Sequence, residues 1–454
     1  MKNKKFLLLL VLALITPLLF LTACGDEDGT TAEAPPATEA PDVDENGDDE
    51  PADEPLETIY LDFWHAMTGA HEDALMDVIE AFHAEYSHIR IQAEFQGNYT
   101  AINESVMAAA VAGLNNLPHL VQQTTDNVTE YINDGIVVSL TEFFNDPEVG
   151  LSQAEINDIK DVFREGVIWD GEFMSVPFGK STRVLFYNID LFEEHDLEVP
   201  TTWEELIEVA QVLTDVDANR FGMGFENGWG AEFIALVIQH GGEYIDEATA
   251  TAHFAEQPGI DAAQFVIDMI DAGYARFAGE DGFLSGVFGN GFVGMYIGSS
   301  AGLPHVTAAV AGDFTWSTAP LPLYNGNAAS RFQGNDLVLM NNGASEDEQL
   351  AAWQFMAFTM RPEIAAQWAA SSGYIPISDA ALAHEIWVNH ITANPHAAAA
   401  AEQFDAGFMT ARVPGANPVW HYLVAALNDV RDGEATIEDA LTDAQERANA
   451  ALGN

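Results

Sequence analysis

The segment with the clearest potential for chemistry is Gly298-Ser299-Ser300-Ala301-Gly302, which fits the G-x-S-x-G nucleophile pattern and follows a predicted strand. Taken literally, the pattern predicts a secreted esterase whose nucleophile is Ser300. Pro304 stands, however, where the helix after such a nucleophile should be established. We favour a turn rich in glycine and serine that presents hydroxyl and backbone N–H groups to a ligand, and the esterase stays as the alternative.

Metal and cofactor motifs are missing from the sequence. The 13 histidines are scattered, without an H-E-x-x-H pair, and the single cysteine cannot complete a thiolate site. No calcium-loop, Walker or dinucleotide-binding pattern stands in a suitable context. We therefore predict no cofactor, no metal and no catalytic residue.

The N-terminus predicts export. Met1-Lys2-Asn3-Lys4-Lys5 precedes an apolar run that ends at Leu21-Thr22-Ala23-Cys24, and Cys24 is the only cysteine. This pattern resembles a bacterial lipobox, so residues 1–24 are predicted to be a lipoprotein signal peptide with Cys24 as the lipidated residue. A plain signal peptide is the alternative. The protein would lie on the outer face of the cell membrane or in the periplasm, and it would fold without disulfides.

The charge of the chain excludes several classes of partner. There are 15 Lys and Arg against 72 Asp and Glu, a net charge of −57, so nucleic acid and anionic membrane surfaces are not expected partners. Residues 25–57 hold almost no large apolar side chain and many Pro, Asp and Glu. They predict a disordered acidic tether.

Beyond the tether, short apolar runs alternate with amphipathic segments, which predicts an α/β fold. No second segment is long enough to span a membrane. Thr202 and Glu205 form a predicted capping box at the start of one helix. The predicted strands are 58–64, 89–95, 120–122, 174–178, 184–187, 221–225, 293–297 and 337–340, and the predicted helices are 70–86, 101–113, 203–214, 260–272, 346–360, 418–430 and 436–452.

Five motifs follow one another along the mature chain. They are FWHAMTG at 63–69, QGNY at 96–99, PFGKST at 177–182 with LFYN at 185–188, PTTWEEL at 200–206 and GYIPI at 373–377. In this order they resemble the extracellular solute-binding proteins, family 1, of ABC importers. FWHAMTG and GNY are most similar to the sn-glycerol-3-phosphate-binding branch.

The resemblance implies a periplasmic-binding-protein-like fold, in which two discontinuous α/β lobes close on a ligand held in the cleft between them. Residues 58–180 with 335–360 are the predicted N-terminal lobe, and 181–334 with 361–454 the predicted C-terminal lobe. The chain is expected to cross between them near 180–183, 333–336 and 360–363. Expected partners are a small-molecule ligand and the transmembrane subunits of a permease, with a monomeric protein held to the membrane by its lipid alone.

The ligand contacts that the resemblance implies are Tyr99, Thr125, Ser181, Trp229, Ser299, Ser300, Gly334, Tyr374 and Arg412. Arg412 would clamp a phosphate, the serine hydroxyls and the Gly334 N–H would complete the anion shell, and the aromatic rings would cover the carbon skeleton. Where the family has a Glu for glycerol hydroxyls, the alignment falls on Thr125, with Asp126 adjacent. The ligand is therefore expected to be sn-glycerol 3-phosphate, a glycerophosphodiester or a related carbohydrate, and a neutral mono- or oligosaccharide is the alternative.

The few cationic residues favour an anionic ligand. Lys180, Arg183, Arg331 and Arg412 all fall in segments assigned to the cleft or its crossings. An alternative is that they pair with nearby acidic residues, which would make them structural.

Overall fold

The computed structural model describes residues 57–227 and 229–454. The predicted signal peptide, the predicted lipidation site Cys24 and almost all of the predicted tether lie outside these residues. Within the described part, no helix combines the length and the apolar character needed to cross a membrane.

The strands of the described residues are short except for two. They are Ile59–His65 (β1), Ile89–Phe95 (β2), Leu120–Thr124 (β3), Ile168–Trp169 (β4), Glu172–Phe173 (β5), Val176–Asn188 (β6), Phe221–Phe225 (β7), Ile245–Asp246 (β8), Thr251–Ala252 (β9), Ala275–Phe277 (β10), Val293–Ser299 (β11), Trp316–Ala319 (β12), Ser330–Leu339 (β13) and Gly407–Phe408 (β14).

Helices connect these strands and flank the sheet. They are Ala70–Glu85 (α1), Tyr99–Ala112 (α2), Thr125–Asn133 (α3), Thr141–Asn145 (α4), Gln153–Asp158 (α5), Asp161–Gly166 (α6), Ile189–Glu194 (α7), Trp203–Leu213 (α8), Gly230–Gln239 (α9), Gln257–Asp271 (α10), Ser285–Gly289 (α11), Leu303–Val310 (α12), Glu346–Met360 (α13), Pro362–Ser372 (α14), Asp379–Ala383 (α15), Glu385–Ala393 (α16), Ala416–Arg431 (α17) and Ile437–Ala451 (α18).

The seven helices predicted from the sequence are confirmed as α1, α2, α8, α10, α13, α17 and α18, with ends that differ by at most three residues. The predicted capping box is present at α8. Thr202 accepts from the Glu205 N–H, and the Glu205 carboxylate accepts from the Thr202 N–H. Local capping and an apolar stripe therefore sufficed to predict these helices.

The fold has two α/β lobes that share two long strands. In the main path the strand order is β10-β7-β11-β6-β13-β3-β1-β2, with β12 also on β6 and β14 on β13. β1, β2 and β3 run parallel in the first lobe, and β7, β10 and β11 run parallel in the second. The antiparallel pair β6 and β13 connects the two groups. The predicted two-lobed α/β fold is confirmed.

The long strand β6 differs from its prediction. The sequence predicted separate strands at 174–178 and 184–187, but residues 176–188 form one strand whose side chains are nearly all buried. Its first half pairs with β13 and its second half with β11 and β12. The polar run Lys180-Ser181-Thr182-Arg183 interrupted the apolar pattern, so only tertiary pairing shows that the strand continues.

Gly334 sits where β6 and β13 pair at the crossing. Its φ is +127°, and a Cβ at this position would lie 1.9 Å from the Gly179 carbonyl oxygen. Any other residue would therefore clash with the backbone of β6. The register of the β6–β13 pair shifts immediately after this glycine, between Asn335 and Asp336.

One predicted lobe boundary is corrected by the packing. Helix α14 was assigned to the C-terminal lobe, but it contacts α1 of the first lobe. Arg361, at its start, pairs with Glu85 of α1, and Trp368 stacks on Phe178 with ring centroids 4.5 Å apart. The third crossing therefore lies beyond 360–363. Ile375 still pairs with Lys180, and further along the chain His396 stacks on Trp316 of β12.

Candidate functional site

A cavity of about 370 Å³ lies where the ends of first-lobe elements face the second lobe. Both crossing strands contribute to it, through Ser181 of β6 and Gln333 and Gly334 of β13. The lining residues are Tyr99, Thr100, Asn103, Thr124, Asp126, Asn127, Ser181, Ser299, Ala301, Gln333, Gly334, Tyr374, Asn417, Trp420 and His421. We call this the cleft cavity. Five of the nine predicted ligand contacts line it: Tyr99, Ser181, Ser299, Gly334 and Tyr374.

Two tyrosines form one wall of the cleft cavity. Tyr99 is the first residue of α2, which Asn98 caps by accepting from the Ala101 N–H. Tyr374 follows Gly373, the left-handed residue that ends α14, and the Ile375 N–H bonds to the Lys180 carbonyl. Burial, followed by the neighbouring Tyr374, raises the pKa of Tyr99 well above its ordinary value. Both rings therefore stay neutral and can pack against a carbon skeleton.

The position of the Tyr99 hydroxyl is fixed by Asn335, whose Nδ2 donates to it over 2.8 Å. Asn335 is fully buried, and its Oδ1 accepts from the Gly179 N–H at 3.2 Å. The amide thus joins α2 to both crossing strands. No motif in the sequence marked Asn335 as part of the site.

The serine-rich turn contributes hydroxyl groups to the cavity lining, close to Tyr374. Ser299 ends β11, and its hydroxyl donates to Ser181 Oγ on β6 at 3.1 Å. Residues Ser300–Gly302 form a 3₁₀ turn that leads directly into α12. Helical segments begin with N–H groups that lack intrahelical partners. Ser299 caps this turn, because its Oγ accepts from the Ala301 N–H at 3.3 Å. The turn therefore brings serine hydroxyls to the cavity, and their presentation to a ligand stays a prediction.

Asp126 supplies the carboxylate of the cleft cavity. Its side chain is 16% exposed, and Oδ1 is buried without a hydrogen-bond partner among the described residues. Oδ2 lies 3.9 Å from Arg331 Nη2. Burial raises the pKa of Asp126, and Arg331 opposes that shift. Oδ1 is shielded from solvent in this arrangement, so it can accept a ligand hydroxyl once the lobes part and expose it.

Arg331 lies behind this carboxylate. It is 5% exposed, bonds to Thr410 and Gln333, and packs over the Trp420 ring with its carbon Cζ 4.6 Å from the centroid. Its charge therefore reaches the cavity only through its neighbours. Arg331 is one of the four cationic residues expected near the cleft. It lies close to Asp126, in agreement with the alternative that these residues pair with acidic side chains.

Trp420 and Asn417 of α17 are cleft residues that the sequence analysis missed. Asn417 Nδ2 donates to Asn127 Oδ1 at 2.7 Å, which joins α17 of the second lobe to α3 of the first. Trp420 lines the cavity beside it. Both positions follow the apolar spacing of α17, so a polar Asn417 on that face was the only sequence signal.

Thr125 does not line the cleft cavity. It is 5% exposed, and its hydroxyl donates to Asp336 Oδ2 at 3.1 Å. Asp336, fully buried, also forms an ion pair of 2.6 Å with Lys180 Nζ, which is 1% exposed. Thr125 and Lys180 therefore belong to a buried polar cluster under the crossing strands, and the carboxylate expected near Thr125 comes from its neighbour Asp126.

Trp229 and Ser300 are also buried rather than exposed to the cleft cavity. Trp229 packs in the second-lobe core against Phe233 and Phe277. Ser300 is 1% exposed, and its hydroxyl accepts from the Thr182 N–H at 3.4 Å. Among the described residues no hydrogen bond joins Ser300 to a histidine. A nucleophilic serine needs an accessible hydroxyl and an adjacent base, so the esterase alternative is not supported.

Arg412 joins the lobes instead of lining the cleft cavity. Its Nη1 donates to the Glu165 and Ile168 carbonyl oxygens of the first lobe, the latter at 3.0 Å. Its Nη2 lies 3.8 Å from Glu247 of the second lobe. The predicted phosphate clamp therefore has protein partners in this arrangement.

A second cavity of about 450 Å³ adjoins the first and shares Ser299, Ala301 and Gln333 with it. The remaining lining residues are Arg183, Glu226, Phe283, Ser285, Tyr296, Gly302 and His305. We call this the side cavity. Arg183 Nη1 donates to Glu226 Oε2 at 3.0 Å, and Arg183 Nε lies 3.0 Å from Glu232 Oε1.

One group of side chains elsewhere has the composition of a metal site. Glu243, Asp246 and His253 place possible ligand atoms within 4.8 Å of one another. Asp246 is already used by its own turn, where it accepts from the N–H groups of Ala248 and Thr249. Glu243 is exposed, and nothing further at this surface points to an ion.

Comparison with known proteins agrees with this geometry. Residues 77–399 match the family described as bacterial extracellular solute-binding protein. The sn-glycerol-3-phosphate-binding periplasmic protein of Pectobacterium atrosepticum is 24% identical over 416 residues, which cover 86% of this chain and 91% of the relative. The corresponding protein of Escherichia coli K12 is 23% identical, over 86% and 92% of the two chains.

Solved structures show the same fold. The crystal structure of UgpB from Mycobacterium tuberculosis, in complex with glycerophosphocholine, superposes with a TM-score of 0.74 at 21% identity, over 87% of this chain and 98% of that one. The cyclic alpha-maltosyl-1,6-maltose binding protein of Arthrobacter globiformis gives 0.72 at 23% identity, over 87% and 99%. The resemblance carried by the five motifs is confirmed. The chain therefore belongs to the bacterial extracellular solute-binding proteins, the ligand-capturing components of ABC importers.

Proposed function

We propose that this protein captures a glycerophosphodiester outside the cytoplasm and delivers it to an ABC permease. The observation that carries the proposal is the pairing, in one cavity, of an unpartnered carboxylate oxygen at Asp126 with a hydroxyl cluster at Ser181 and Ser299 beside the start of a helical segment. The carboxylate suits the hydroxyls of a glycerol unit. The serine hydroxyls suit a phosphoryl oxygen.

The charge around the cleft cavity favours a diester over a monoester. No Lys or Arg is among its described lining residues, and the buried Arg331 and Arg183 both face carboxylates. A phosphate monoester carries about −1.5 to −2 charges at pH 7, which the site could not neutralise. A diester carries a single negative charge, which neutral donors can hold. Sn-glycerol 3-phosphate itself is therefore expected to bind more weakly than its diesters.

A neutral oligosaccharide is the second candidate. The same lack of lining cations supports it, together with three aromatic rings at Tyr99, Tyr374 and Trp420 and the amides of Asn103, Asn127 and Asn417. Sugar rings pack their apolar faces on aromatic side chains and donate hydroxyls to amides and carboxylates. This candidate explains the cavity without assigning any role to the serine-rich turn as an anion site.

Delivery would depend on closure of the two lobes around the ligand. Contacts that cross between the lobes already include Asn127 with Asn417 and Arg412 with Ile168. Two long strands, β6 and β13, connect the lobes and are where hinge motion would concentrate. We also propose that the mature chain is a monomer anchored through a lipid on Cys24.

Binding is tested by thermal denaturation and titration calorimetry of the full chain, purified in detergent. The probes are glycerophosphoglycerol, glycerophosphocholine, sn-glycerol 3-phosphate, maltose and trehalose. A ligand at a hundred times its Kd stabilises the folded state by about 2.7 kcal/mol, which is readily measured. We expect stabilisation by diesters. Stabilisation by maltose or trehalose with no response to any phosphoester would contradict the diester and establish the second candidate.

A further inference from the structure

The side cavity adjoins the cleft cavity, in which the glycerol and phosphoryl groups of the ligand are proposed to bind. Ser299, Ala301 and Gln333 form the boundary between the two cavities. A phosphoryl group held at the serine-rich turn would therefore direct its second substituent into a space of about 450 Å³. A substituent of several non-hydrogen atoms fits such a space.

Polar and charged side chains form one wall of the side cavity. Arg183 is 8% exposed and Glu226 is 9% exposed, and they are joined over 3.0 Å through Nη1 and Oε2. Oε1 of Glu226 has no hydrogen bond among the described residues. Ser285 and His305 add further groups that can donate or accept. The buried pair thus offers a donor and an acceptor side by side, which suits neighbouring hydroxyls of a ligand.

The charge of this wall argues against an ionic substituent. Arg183 and Glu226 compensate each other, and Glu232 lies behind them at 1% exposure. Burial raises the pKa of Glu232, and the adjacent Arg183 opposes that shift. Only Phe283 and Tyr296 among the lining residues are aromatic rings other than histidine, too few to enclose a quaternary ammonium.

We propose that the side cavity is a second ligand subsite, in which Arg183, Glu226 and Ser285 bind an uncharged polyhydroxylated substituent, a polyol or sugar ring, on the phosphodiester held in the cleft cavity. This inference rests on the proposed function and names the substituent that the importer selects. Glu226 is a specificity residue that contacts the ligand, and Arg183 positions its carboxylate.

The test compares diesters that differ only in the second substituent. Calorimetric titrations of the full chain use glycerophosphoglycerol and glycerophosphoinositol against glycerophosphocholine, with sn-glycerol 3-phosphate as the probe that lacks the substituent. We expect the two hydroxylated diesters to bind at least tenfold more tightly than glycerophosphocholine. Glu226→Gln should remove about tenfold of their affinity, because a hydrogen bond to an ionised acceptor is lost, and should leave the other two ligands within twofold.

Controls separate this subsite from a general loss of structure. Glu280→Gln changes an exposed carboxylate outside both cavities and should alter no affinity. If Glu226→Gln does not fold, Ser285→Ala replaces it, since this variant removes one hydroxyl and should lower affinity for the hydroxylated diesters alone by a few fold.

The outcomes distinguish the two proposals. Equal binding of all diesters, unchanged by Glu226→Gln and Ser285→Ala, would overturn the subsite and leave the diester function standing. Binding of no diester at all would overturn the proposed function and with it this inference. A preference for glycerophosphocholine that disappears in Glu226→Gln would overturn the assignment to uncharged substituents.

Discussion

Separate substitutions of two neighbouring residues, Thr125 and Asp126, test which of the two side chains contacts the ligand. The alignment with relatives placed the hydroxyl-binding position at Thr125, whereas the structure places the Asp126 carboxylate in the cleft cavity and bonds Thr125 to Asp336. The variants Asp126→Asn and Thr125→Val are close to isosteric. Each removes one polar function with little change of volume.

The expected magnitudes follow from the two environments. Asp126 Oδ1 has no partner within the described residues, so a ligand hydroxyl would complete it, and such a charged hydrogen bond contributes about 1.5–3 kcal/mol. Asp126→Asn should raise Kd by roughly 10- to 100-fold. Thr125→Val removes the 3.1 Å bond to the Asp336 carboxylate and should lower the free energy of unfolding by about 1.5–3 kcal/mol while Kd stays unchanged.

Two measurements on the same preparations decide the result. Titration calorimetry with the best diester or sugar gives Kd, and urea denaturation gives the free energy of unfolding. The reasoning is refuted if Thr125→Val weakens binding tenfold while Asp126→Asn binds as the unchanged protein does. That result would mean that the cleft rearranges around Thr125 when ligand enters.

Three further predictions concern stability, lobe closure and pH. Lys180→Met leaves the Asp336 carboxylate without its ion-pair partner at full burial and should lower the free energy of unfolding, measured in urea, by about 3–5 kcal/mol. Lys160→Met breaks a more exposed ion pair and should lower it by less than about 1 kcal/mol. Similar losses in the two variants would contradict this prediction. Arg412→Ala should weaken neutral and anionic ligands equally in calorimetry, because its bonds join the lobes, and a loss confined to phosphoesters would instead show a phosphate clamp. Burial raises the pKa of three carboxyl groups, so the folded state binds their protons more tightly than the unfolded state. This stabilisation is complete below about pH 4, their unfolded range, and is lost as pH rises through the folded values. The melting temperature at constant ionic strength should therefore fall as pH rises above about 4.5, and a steady rise would argue against these groups, which are Asp126, Glu232 and Asp336.

Much of the fold was predictable because local signals agreed with the tertiary structure. Apolar periodicity and capping residues predicted α8 and α13 to within one residue, and alternation of short strands with helices predicted the α/β class. Helix α14 was assigned to the wrong lobe. Its apolar face is evident in the sequence, but nothing local specifies that this face meets α1 rather than a second-lobe element.

The composition of the site was predictable in part. Turn residues that follow a capped helix start or a left-handed glycine, such as Tyr99 and Tyr374, were identified and do line the cleft cavity. Trp229 was selected on the same grounds and is buried in the second-lobe core. Tyr374 and Trp229 both stand beside a glycine in a turn. This sequence context predicts the turn but not the direction in which the aromatic ring points.

By itself the sequence determined the α/β class, most helix positions and the family, because each depends on residues that are adjacent or periodic along the chain, and it predicts an export signal that ends at Cys24. Only the tertiary structure decided that β6 runs unbroken between the lobes, that Asp126 and not Thr125 faces the cleft, and that Arg183 and Glu226 meet beside it. Those facts depend on contacts between residues far apart in sequence. Burial and pairing there change what a charged side chain can do, and no local pattern records them.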